Sequence, residues 1–534
     1  MKALFHSGLF TAHDISHQVV RLYYYNQAIN DGQLMPLWIG QLAHRFGYPL
    51  FMFSYHFPWI IGVMILKLGF NISQTIKALF FISFLGSGIT MYLLARSLLR
   101  DSISALTSSI LYLLAPYHFL IIFVSASMGI AFIFTFLPLL LLGIHLIKKG
   151  SRFGIAILAL SLAGLILSHI MHLIFVAPLI VLFFCWEYGN AAKKIDFFKK
   201  ILLSLFIGLL ISSFYLLPAI FYSQLTRVNE TTSLGELYKR NFINLSQLIY
   251  SKWGYSPIIN NAKNGEISFQ LGAAQWLSFL AILLLILIKR LTKSNLSLGV
   301  YLLTAFFISI FLSLDYSKNI WAFLVNIMTL DFPFRLILPA MFISSLFAGL
   351  LLQNLSSRTK LILFLLLIAV AVYTNRNHFN VNEYTYLSNE TYLDLPTEVT
   401  TNTFNEHLPS EANDKLFGKP WKEAFSDDVS FSDTKQTTNL LSFRTYSEKT
   451  TSISTGQFYF PGQTLLIDEK VYKFNKDKDG LISFDIPANS HQIEIQYKNT
   501  MLIQISKTLT IIGLFSIVLS LINFQRLFKN RVFN

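Results

Sequence analysis

A short segment near the start of the chain holds three side chains that can bind protons or metal ions. His13, Asp14 and His17 come directly before an amphipathic run from Val19 to Ile29. Asp14 at the edge of an apolar region would be partly removed from water, which makes a carboxylate a better general base. His13 and His17 are four residues apart and could bind a divalent metal from one helix face, although the spacing fixes no third ligand. The alternative role for Asp14 is to cap the helix that follows.

Two further segments place polar side chains beside apolar runs. Asp331 and Arg335 frame the sequence Asp-Phe-Pro-Phe-Arg, where the guanidinium could bind a phosphate or a carboxylate in a forked geometry. The alternatives for Arg335 are an ion pair with Asp331 or a side chain extended toward water. His169 lies in a tight turn between two apolar segments, where a histidine suggests either function or local hydrogen bonding.

Motifs of soluble enzymes are missing from the sequence. Asp477, Asp479 and Gly480 imitate the start of a calcium loop, but Ile486 occupies the position where a bidentate glutamate is required. The segment therefore predicts a β-turn. The single Cys185 provides neither a disulfide nor a cysteine metal site, and no glycine-rich phosphate loop or nucleophile elbow is present.

The composition is that of a polytopic α-helical membrane protein. The chain has 534 residues, of which 54% are hydrophobic and 13% are charged, whereas about 25% are charged in ordinary soluble proteins. Runs of roughly 20 apolar residues predict membrane spans. The eleven predicted spans are Ile76–Leu98, Ile103–Val124, Met128–Ile147, Phe153–Ser168, His172–Tyr188, Lys199–Tyr222, Ala273–Ile288, Leu296–Leu314, Phe334–Leu352, Thr359–Tyr373 and Ile505–Phe524.

The distribution of charge predicts the orientation. Residues 375–500 contain 18 acidic and 12 basic side chains, while the excess of lysine and arginine lies in short loops between the spans and in a tail with Arg526, Lys529 and Arg531. This pattern follows the positive-inside rule and excludes a nucleic-acid groove. It predicts a multi-pass protein of the cell membrane with a cytoplasmic C-terminus. The loop 223–272 and the polar residues 375–504 are expected outside the cytoplasm.

The spans and the distribution of charge together predict four regions. Residues 1–75 form a first extracytoplasmic loop with interfacial helices, and residues 76–374 form the multi-span domain. Residues 375–504 alternate in β fashion between turn residues, which predicts a small β-sandwich. Residues 505–534 form the last span and a basic cytoplasmic tail. An N-terminus outside the cell requires either one more span upstream of Met1, which we favour, or translocation of the N-terminus without a span.

Several segments of the chain resemble a bacterial family of multi-pass membrane proteins labelled 6-pyruvoyl-tetrahydropterin synthase-related. The resemblance covers nearly all of the chain. It rests on His13–His17, Asp31–Trp38, Phe46–Phe51, Ala115–His118, Ser168-His169, Trp253–Tyr255, Ser268–Gly272 and Phe332–Arg335.

The resembling family is similar in architecture to the GT-C membrane glycosyltransferases, in which an acidic residue of the first outer loop acts on an acceptor hydroxyl. The resemblance implies that Asp14 is that acid and that the upstream helix is the first span. It also implies that Arg335 neutralises a lipid phosphate, with Asp331, His13, His17 and His169 among the substrate-binding side chains. The loop 223–272 would cover the cleft.

The predicted function is transfer of a sugar from a polyprenyl-phosphate donor to an extracytoplasmic glycan acceptor during envelope assembly, in contact with the lipid bilayer and without nucleic acid. The sequence identifies no cofactor with certainty, and the one candidate is a divalent metal ion. A second hypothesis is a non-catalytic component of the cell envelope or of polysaccharide export that binds partners through its β-domain. A transporter is the third, and it is disfavoured because charged residues are scarce in the middle of the predicted spans.

Overall fold

The computed structural model describes residues 2–229, 232–256, 262–327, 330–353, 355–402 and 405–521. Most of these residues are helical. The α-helices are Ile15–Asn30, Leu50–Phe53, Phe57–Lys67, Ile72–Leu99, Ser102–Leu113, Pro116–Phe119, Met128–Lys148, Phe153–Gly189, Lys194–Ile211, Ser213–Tyr222, Thr232–Arg240, Leu245–Ile249, Ala273–Leu287, Lys293–Ser313, Lys318–Leu324, Ile337–Gln353, Ser357–Thr374, Asn389–Leu393 and Met501–Leu521. The predicted basic tail at Arg526, Lys529 and Arg531 lies outside the described residues.

Seven described helices are long and apolar enough to cross a membrane. Two further pairs, Ser102–Leu113 with Pro116–Val124 and Lys194–Ile211 with Ser213–Leu225, are bent by 46° and 73° and raise the number to nine if each pair is one span. Eight of the eleven predicted segments lie within one of these elements. The segments Ala273–Ile288 and Leu296–Leu314 each end one residue beyond their helices, at Leu287 and Ser313, and Ile505–Phe524 continues past Leu521 to positions outside the described residues. The polytopic membrane class is confirmed, and eleven crossings remain a prediction.

The longest helical element, Phe153–Gly189, is a hairpin of two helices. Its backbone leaves helical geometry at His169, where φ is −167° and ψ is 90°. Gly154, the second residue of the element, lies beside Ile147, and Glu187 near the other end lies 3.0 Å from the Lys148 ammonium. The two ends therefore lie together, and the chain reverses at His169, in the turn that the sequence predicted.

The strands lie mainly in the C-terminal third of the chain. They are Leu9–Phe10, Tyr384–Thr385, Ala424–Phe425, Ser430–Gln436, Leu440–Ser447, Thr451–Phe458, Gln463–Ile467, Lys470–Tyr472, Asn475–Lys476, Leu481–Ile486 and Asn489–Tyr497. Nine of them form an antiparallel four-stranded sheet and an antiparallel five-stranded sheet. One apolar cluster takes Ile453 and Phe484 from the first sheet and Phe443 and Ile493 from the second. The two sheets thus pack as a small sandwich, as alternation in the sequence predicted.

The segment that imitates a calcium loop is a β-turn, as predicted. Asp477 Oδ1 accepts hydrogen bonds from the backbone N–H groups of Asp479 and Leu481 at 2.8 and 2.9 Å. Gly480 supplies the left-handed backbone conformation with a φ of 77°. The carboxylate is therefore used within the turn.

Aromatic stacking fixes the sandwich to the N-terminal segment. Trp38 is 1% exposed, and its ring lies between the rings of Phe460 and Tyr497 with centroid distances of 5.9 and 5.6 Å. Asp31 adds hydrogen bonds through Oδ2 from the backbone N–H and hydroxyl of Thr438. Residues near the two ends of the chain are thereby held together beside the membrane helices.

Candidate functional site

Four of the six predicted site residues line one cavity. Its volume is about 260 Å³. Asp14 and His17 come from the N-terminal helix, and Asp331 and Arg335 come from the segment that enters the helix Ile337–Gln353. The other lining residues are Gln18, Arg21, Leu237, Phe332, Thr401, Asn402 and Glu406. Four stretches distant in sequence line the site, and three of them supply its three carboxylates, two guanidinium groups and one imidazole.

Asp14 is held at the rim of a break in the helical domain. A π-helical turn over Leu120–Val124 ends there, and the carbonyl of Ser125 accepts a hydrogen bond from the Asp14 backbone N–H at 3.0 Å. Asp14 is the N-cap residue of the helix Ile15–Asn30, but its side chain makes no capping hydrogen bond. The carboxylate instead accepts a hydrogen bond from the Ser127 hydroxyl at 3.1 Å and lines the cavity. The position of the Asp14 carboxylate therefore favours a role as general base over a role as helix cap.

Arg21 lies two helical turns further along the same helix as Asp14. Its Nη2 donates to the Thr401 carbonyl at 2.6 Å and to Asn402 Oδ1 at 3.0 Å, and its Nε donates to the Thr401 hydroxyl. In the part of the chain that the structure describes, no carboxylate forms an ion pair with Arg21. A cation held by neutral oxygens in a partly enclosed cavity can attract an anionic ligand.

Arg335 is paired within the site. Its Nη1 lies 2.7 and 2.6 Å from the two carboxylate oxygens of Asp331, and the two side chains are 11% and 15% exposed. The guanidinium also lies 4.9 Å from the centre of the Phe332 ring. The sequence alternative of an Asp331 pair is thus confirmed as a contact. A ligand anion would have to share Arg335 with that aspartate.

The backbone around the cavity adopts conformations that side chains with a Cβ usually avoid. Ala126 and Thr401 have φ values of 51° and 56°, in the left-handed region. The Ala126 carbonyl accepts a hydrogen bond from Gln18 at 2.9 Å, and the Thr401 carbonyl accepts one from Arg21. These conformations direct carbonyls toward the N-terminal helix, and such outliers concentrate at functional sites.

Glu406 and its neighbour His407 complete the electrostatics on the sandwich side of the site. Glu406 Oε2 is buried and has no hydrogen-bond partner among the described residues. Burial, together with the charge of Arg21, lowers the pKa of His407 to about 3, so this imidazole is neutral near pH 7. Glu406 therefore lines the cavity as the acidic side chain of this segment, and its neighbour in sequence, His407, is uncharged.

His13 and His169 do not line the cavity. His13 Nε2 is hydrogen-bonded to the Tyr255 carbonyl at 2.9 Å. His169 stacks on Tyr55 at a centroid distance of 6.3 Å, and the Tyr55 hydroxyl in turn donates to Gln18 at 3.0 Å. His169 thus lies one layer behind the cavity.

The histidine pair near the N-terminus does not converge on a common point. His13 bonds to a carbonyl, whereas His17 lies 2.6 Å from Glu398 Oε2. No group of three or more His, Cys, Asp or Glu side chains suited to a metal ion occurs within the described ranges. The structure therefore supplies no third ligand for the metal hypothesis.

Several lining residues were missed by sequence reasoning. Arg21 lies inside an amphipathic helix, and Glu406 is one of the 18 acidic side chains of residues 375–500. Glu398, which contacts His17 behind the lining, is another of these acidic side chains. The helical spacing of Asp14, His17 and Arg21 was an available signal, because residues three, four and seven apart share a face. The pairing of His17 with Glu398, 381 positions away, leaves no local signal.

Comparison with known proteins identifies the family. Residues 53–381, more than half of the chain, match the family described as "6-pyruvoyl-tetrahydropterin synthase related domain; membrane protein". The chain belongs to this family. The region matched to the 6-pyruvoyl-tetrahydropterin synthase-related family contains Asp331 and Arg335, while the N-terminal helix and the sandwich segment of the cavity flank it. No curated protein matches the chain.

Proposed function

We propose that this membrane protein is a GT-C-like glycosyltransferase that moves a sugar from a polyprenyl-phosphate donor to a glycan acceptor outside the cytoplasm. The observation that supports it best is the cavity, where a carboxylate that makes no capping hydrogen bond and a guanidinium that has no acidic partner among the described residues lie on one helix face. Asp14 would take the proton of the acceptor hydroxyl, and Arg21 would bind the donor phosphate.

The position of the cavity supports a donor anchored in lipid. Asp14 contacts Ser127 beside the first residue of the helix Met128–Lys148, and Lys148 ends that helix at the other side. A helix of 21 residues is ~30 Å long, which is the thickness of the hydrocarbon core. A polyprenyl chain in the bilayer could therefore present its phosphate at this level, with the basic loops on the opposite surface.

Arg335 provides a second positive charge for the same donor. Its pairing with Asp331 keeps the partly buried guanidinium compensated while the cavity holds no anion. A lipid phosphate between Arg21 and Arg335 would compete with Asp331 for the guanidinium. In this proposal Arg21 makes the primary phosphate contact, and Arg335 strengthens it.

Transfer by the purified full chain tests the proposal. The chain is reconstituted in phosphatidylethanolamine–phosphatidylglycerol vesicles with polyprenyl phosphate carrying radiolabelled glucose, galactose or mannose, and isolated envelope glycan is the acceptor. We expect label in the glycan, and a loss of at least tenfold in transfer for Arg21→Gln. Arg444→Gln is the matched control because Arg444 is an exposed arginine of the sandwich, outside the cavity.

Two outcomes contradict the proposal. The first is a purified wild-type chain that transfers none of the sugars, together with a deletion strain whose envelope glycans do not change. That pair of results supports the non-catalytic alternative. Equal transfer activity of Arg21→Gln and Arg444→Gln would show that Arg21 in the cavity does not bind the donor phosphate.

A further inference from the structure

His17 is held by a fully buried carboxylate. Its Nδ1 lies 2.6 Å from Glu398 Oε2, and the two side chains are 19% and 0% exposed. Glu398 belongs to the segment that leads into the sandwich, so the contact joins the N-terminal helix to the C-terminal third of the chain. A carboxylate bound to one ring nitrogen fixes the tautomer and the orientation of an imidazole.

Only one of the three histidine–carboxylate pairs in the described ranges presents a free ring nitrogen to a cavity. In the pairs formed by His145 and His491, the second ring nitrogen is bonded to a backbone carbonyl. His17 Nε2 has no hydrogen bond to a described residue, and His17 lines the cavity. The Glu398 contact therefore orients an imidazole whose other nitrogen is available to a ligand.

The order of side chains along the helix assigns each a place beside a substrate. Asp14, His17 and Arg21 follow one another on one face, three and then four positions apart in the sequence. At 1.5 Å per residue, His17 lies ~4.5 Å along the axis from Asp14 and ~6 Å from Arg21. A substrate with its acceptor hydroxyl at Asp14 and its phosphate at Arg21 places the bridging oxygen near His17.

We infer that His17 is the general acid of the transfer reaction and that Glu398 is its positioning residue, an inference that rests on the proposed function. The acceptor oxygen bonds to the anomeric carbon and its proton passes to Asp14. The bond from the anomeric carbon to the phosphate oxygen breaks, and that oxygen takes the Nε2 proton of the His17 imidazolium, whose Nδ1–H stays bonded to Glu398. Polyprenyl phosphate leaves, and both groups exchange protons with water to return to their starting states.

Chemical labelling tests the open nitrogen without needing turnover. Diethyl pyrocarbonate adds an ethoxycarbonyl group to the neutral imidazole, the form of His17 that has given up its Nε2 proton, and peptide mass spectrometry locates the group. We expect labelling of His17 in the full chain and at least fivefold slower labelling when polyprenyl phosphate is present. His44 is the internal reference, since it is exposed and outside the cavity. An unlabelled His17, or one that polyprenyl phosphate does not protect, overturns the assignment.

Kinetics test the acid role. General acids contribute about 10²–10⁴-fold, so His17→Gln should lower kcat by ~100-fold, keep KM within twofold and remove one limb of the pH profile. Glu398→Gln should lower kcat in the same direction but by less. Both variants should bind polyprenyl phosphate as the wild type does. His17→Gln takes the imidazole away from the fully buried Glu398 carboxylate and should lower the unfolding temperature, so kcat is taken per folded molecule and the lost limb of the pH profile identifies the acid. His491→Gln, in a surface pair of the sandwich, is the matched control.

The outcomes separate the two proposals. An active wild type whose His17→Gln variant keeps its kcat and its pH profile overturns the acid role and leaves the transferase proposal standing. A wild type that transfers no sugar overturns both together.

Discussion

Replacement of Asp14 distinguishes a general base from a helix cap. Within the described part of the chain, the Asp14 side chain accepts one hydrogen bond, from Ser127, and none from the first turn of its helix. Removing a capping side chain costs about 0.5–2 kcal/mol of stability, a loss that this geometry does not predict. Asp14→Asn keeps an acceptor for Ser127, so we expect a change in unfolding free energy below about 0.5 kcal/mol.

The effect on activity should be much larger. Loss of a general base reduces the rate by about 10²–10⁴-fold, or about 3–5 kcal/mol of activation free energy. The assays are thermal unfolding of the detergent-solubilised chain, transfer in vesicles, and the envelope glycans of a deletion strain that carries the variant. If Asp14→Asn lowers the unfolding temperature and activity falls only with the folded fraction, Asp14 is a structural residue. Glycans restored to the wild-type pattern by Asp14→Asn would equally refute the base.

Three other perturbations have defined outcomes. Gly129→Ala should destabilise the fold by about 1–3 kcal/mol in thermal unfolding, because its Cβ would overlap the Ser168 carbonyl oxygen at the hairpin turn. Asp468 raises the pKa of His491, and His491 lowers that of Asp468, so their attraction is complete between roughly pH 4 and pH 6.5. It weakens as the pH rises through the raised histidine value, and Asp468→Asn should remove this dependence, of at most about 1 kcal/mol, from unfolding measured at pH 5.5 and 8.5. A cysteine at the exposed Ser7 should react with an impermeant maleimide on intact cells, because the charge pattern places it outside.

Matched controls accompany these tests. Gly189→Ala meets no neighbouring atom within 4 Å and should leave thermal stability unchanged. Lys293→Cys, exposed near the basic loops, should react with maleimide only after permeabilisation, and both cysteine variants need Cys185→Ser because Cys185 is exposed. Labelling of Ser7→Cys only in permeabilised cells would reverse the predicted orientation. If Asp468→Asn leaves the pH dependence of unfolding unchanged, that dependence arises from other titratable groups.

The helices were predictable because apolar runs leave few alternatives in a lipid environment. Composition predicted the segments from Ile72–Leu99 to Met501–Leu521, and alternation predicted the strands Leu481–Ile486 and Asn489–Tyr497. The number of crossings was less accessible. Whether Ser102–Leu113 and Pro116–Val124 act as one span depends on a 46° bend that apolarity does not encode.

The site was predictable only in part. Charge distribution predicted that Asp14 and Arg335 share one side, and the structure brings both to one cavity. The charge distribution could not show that Arg335 forms an ion pair with Asp331. It also could not show that Arg21 is held by neutral oxygens of Thr401 and Asn402, because those contacts join segments distant in sequence. Burial of Glu398 beside His17 likewise follows from packing of the C-terminal third, which local sequence does not specify.

The long separation between the walls of the cavity has a consequence for biosynthesis. His17 and Glu398 are 381 residues apart, and at about 5–20 residues per second the ribosome needs roughly 20–80 s to bridge that distance. Until then Asp14, His17 and Arg21 lack the segment that forms the far wall. A nascent chain therefore cannot possess the complete cavity, and premature termination anywhere before residue 398 leaves the inserted helices without it. The order of synthesis thus delays the site until nearly all of the membrane helices have been made.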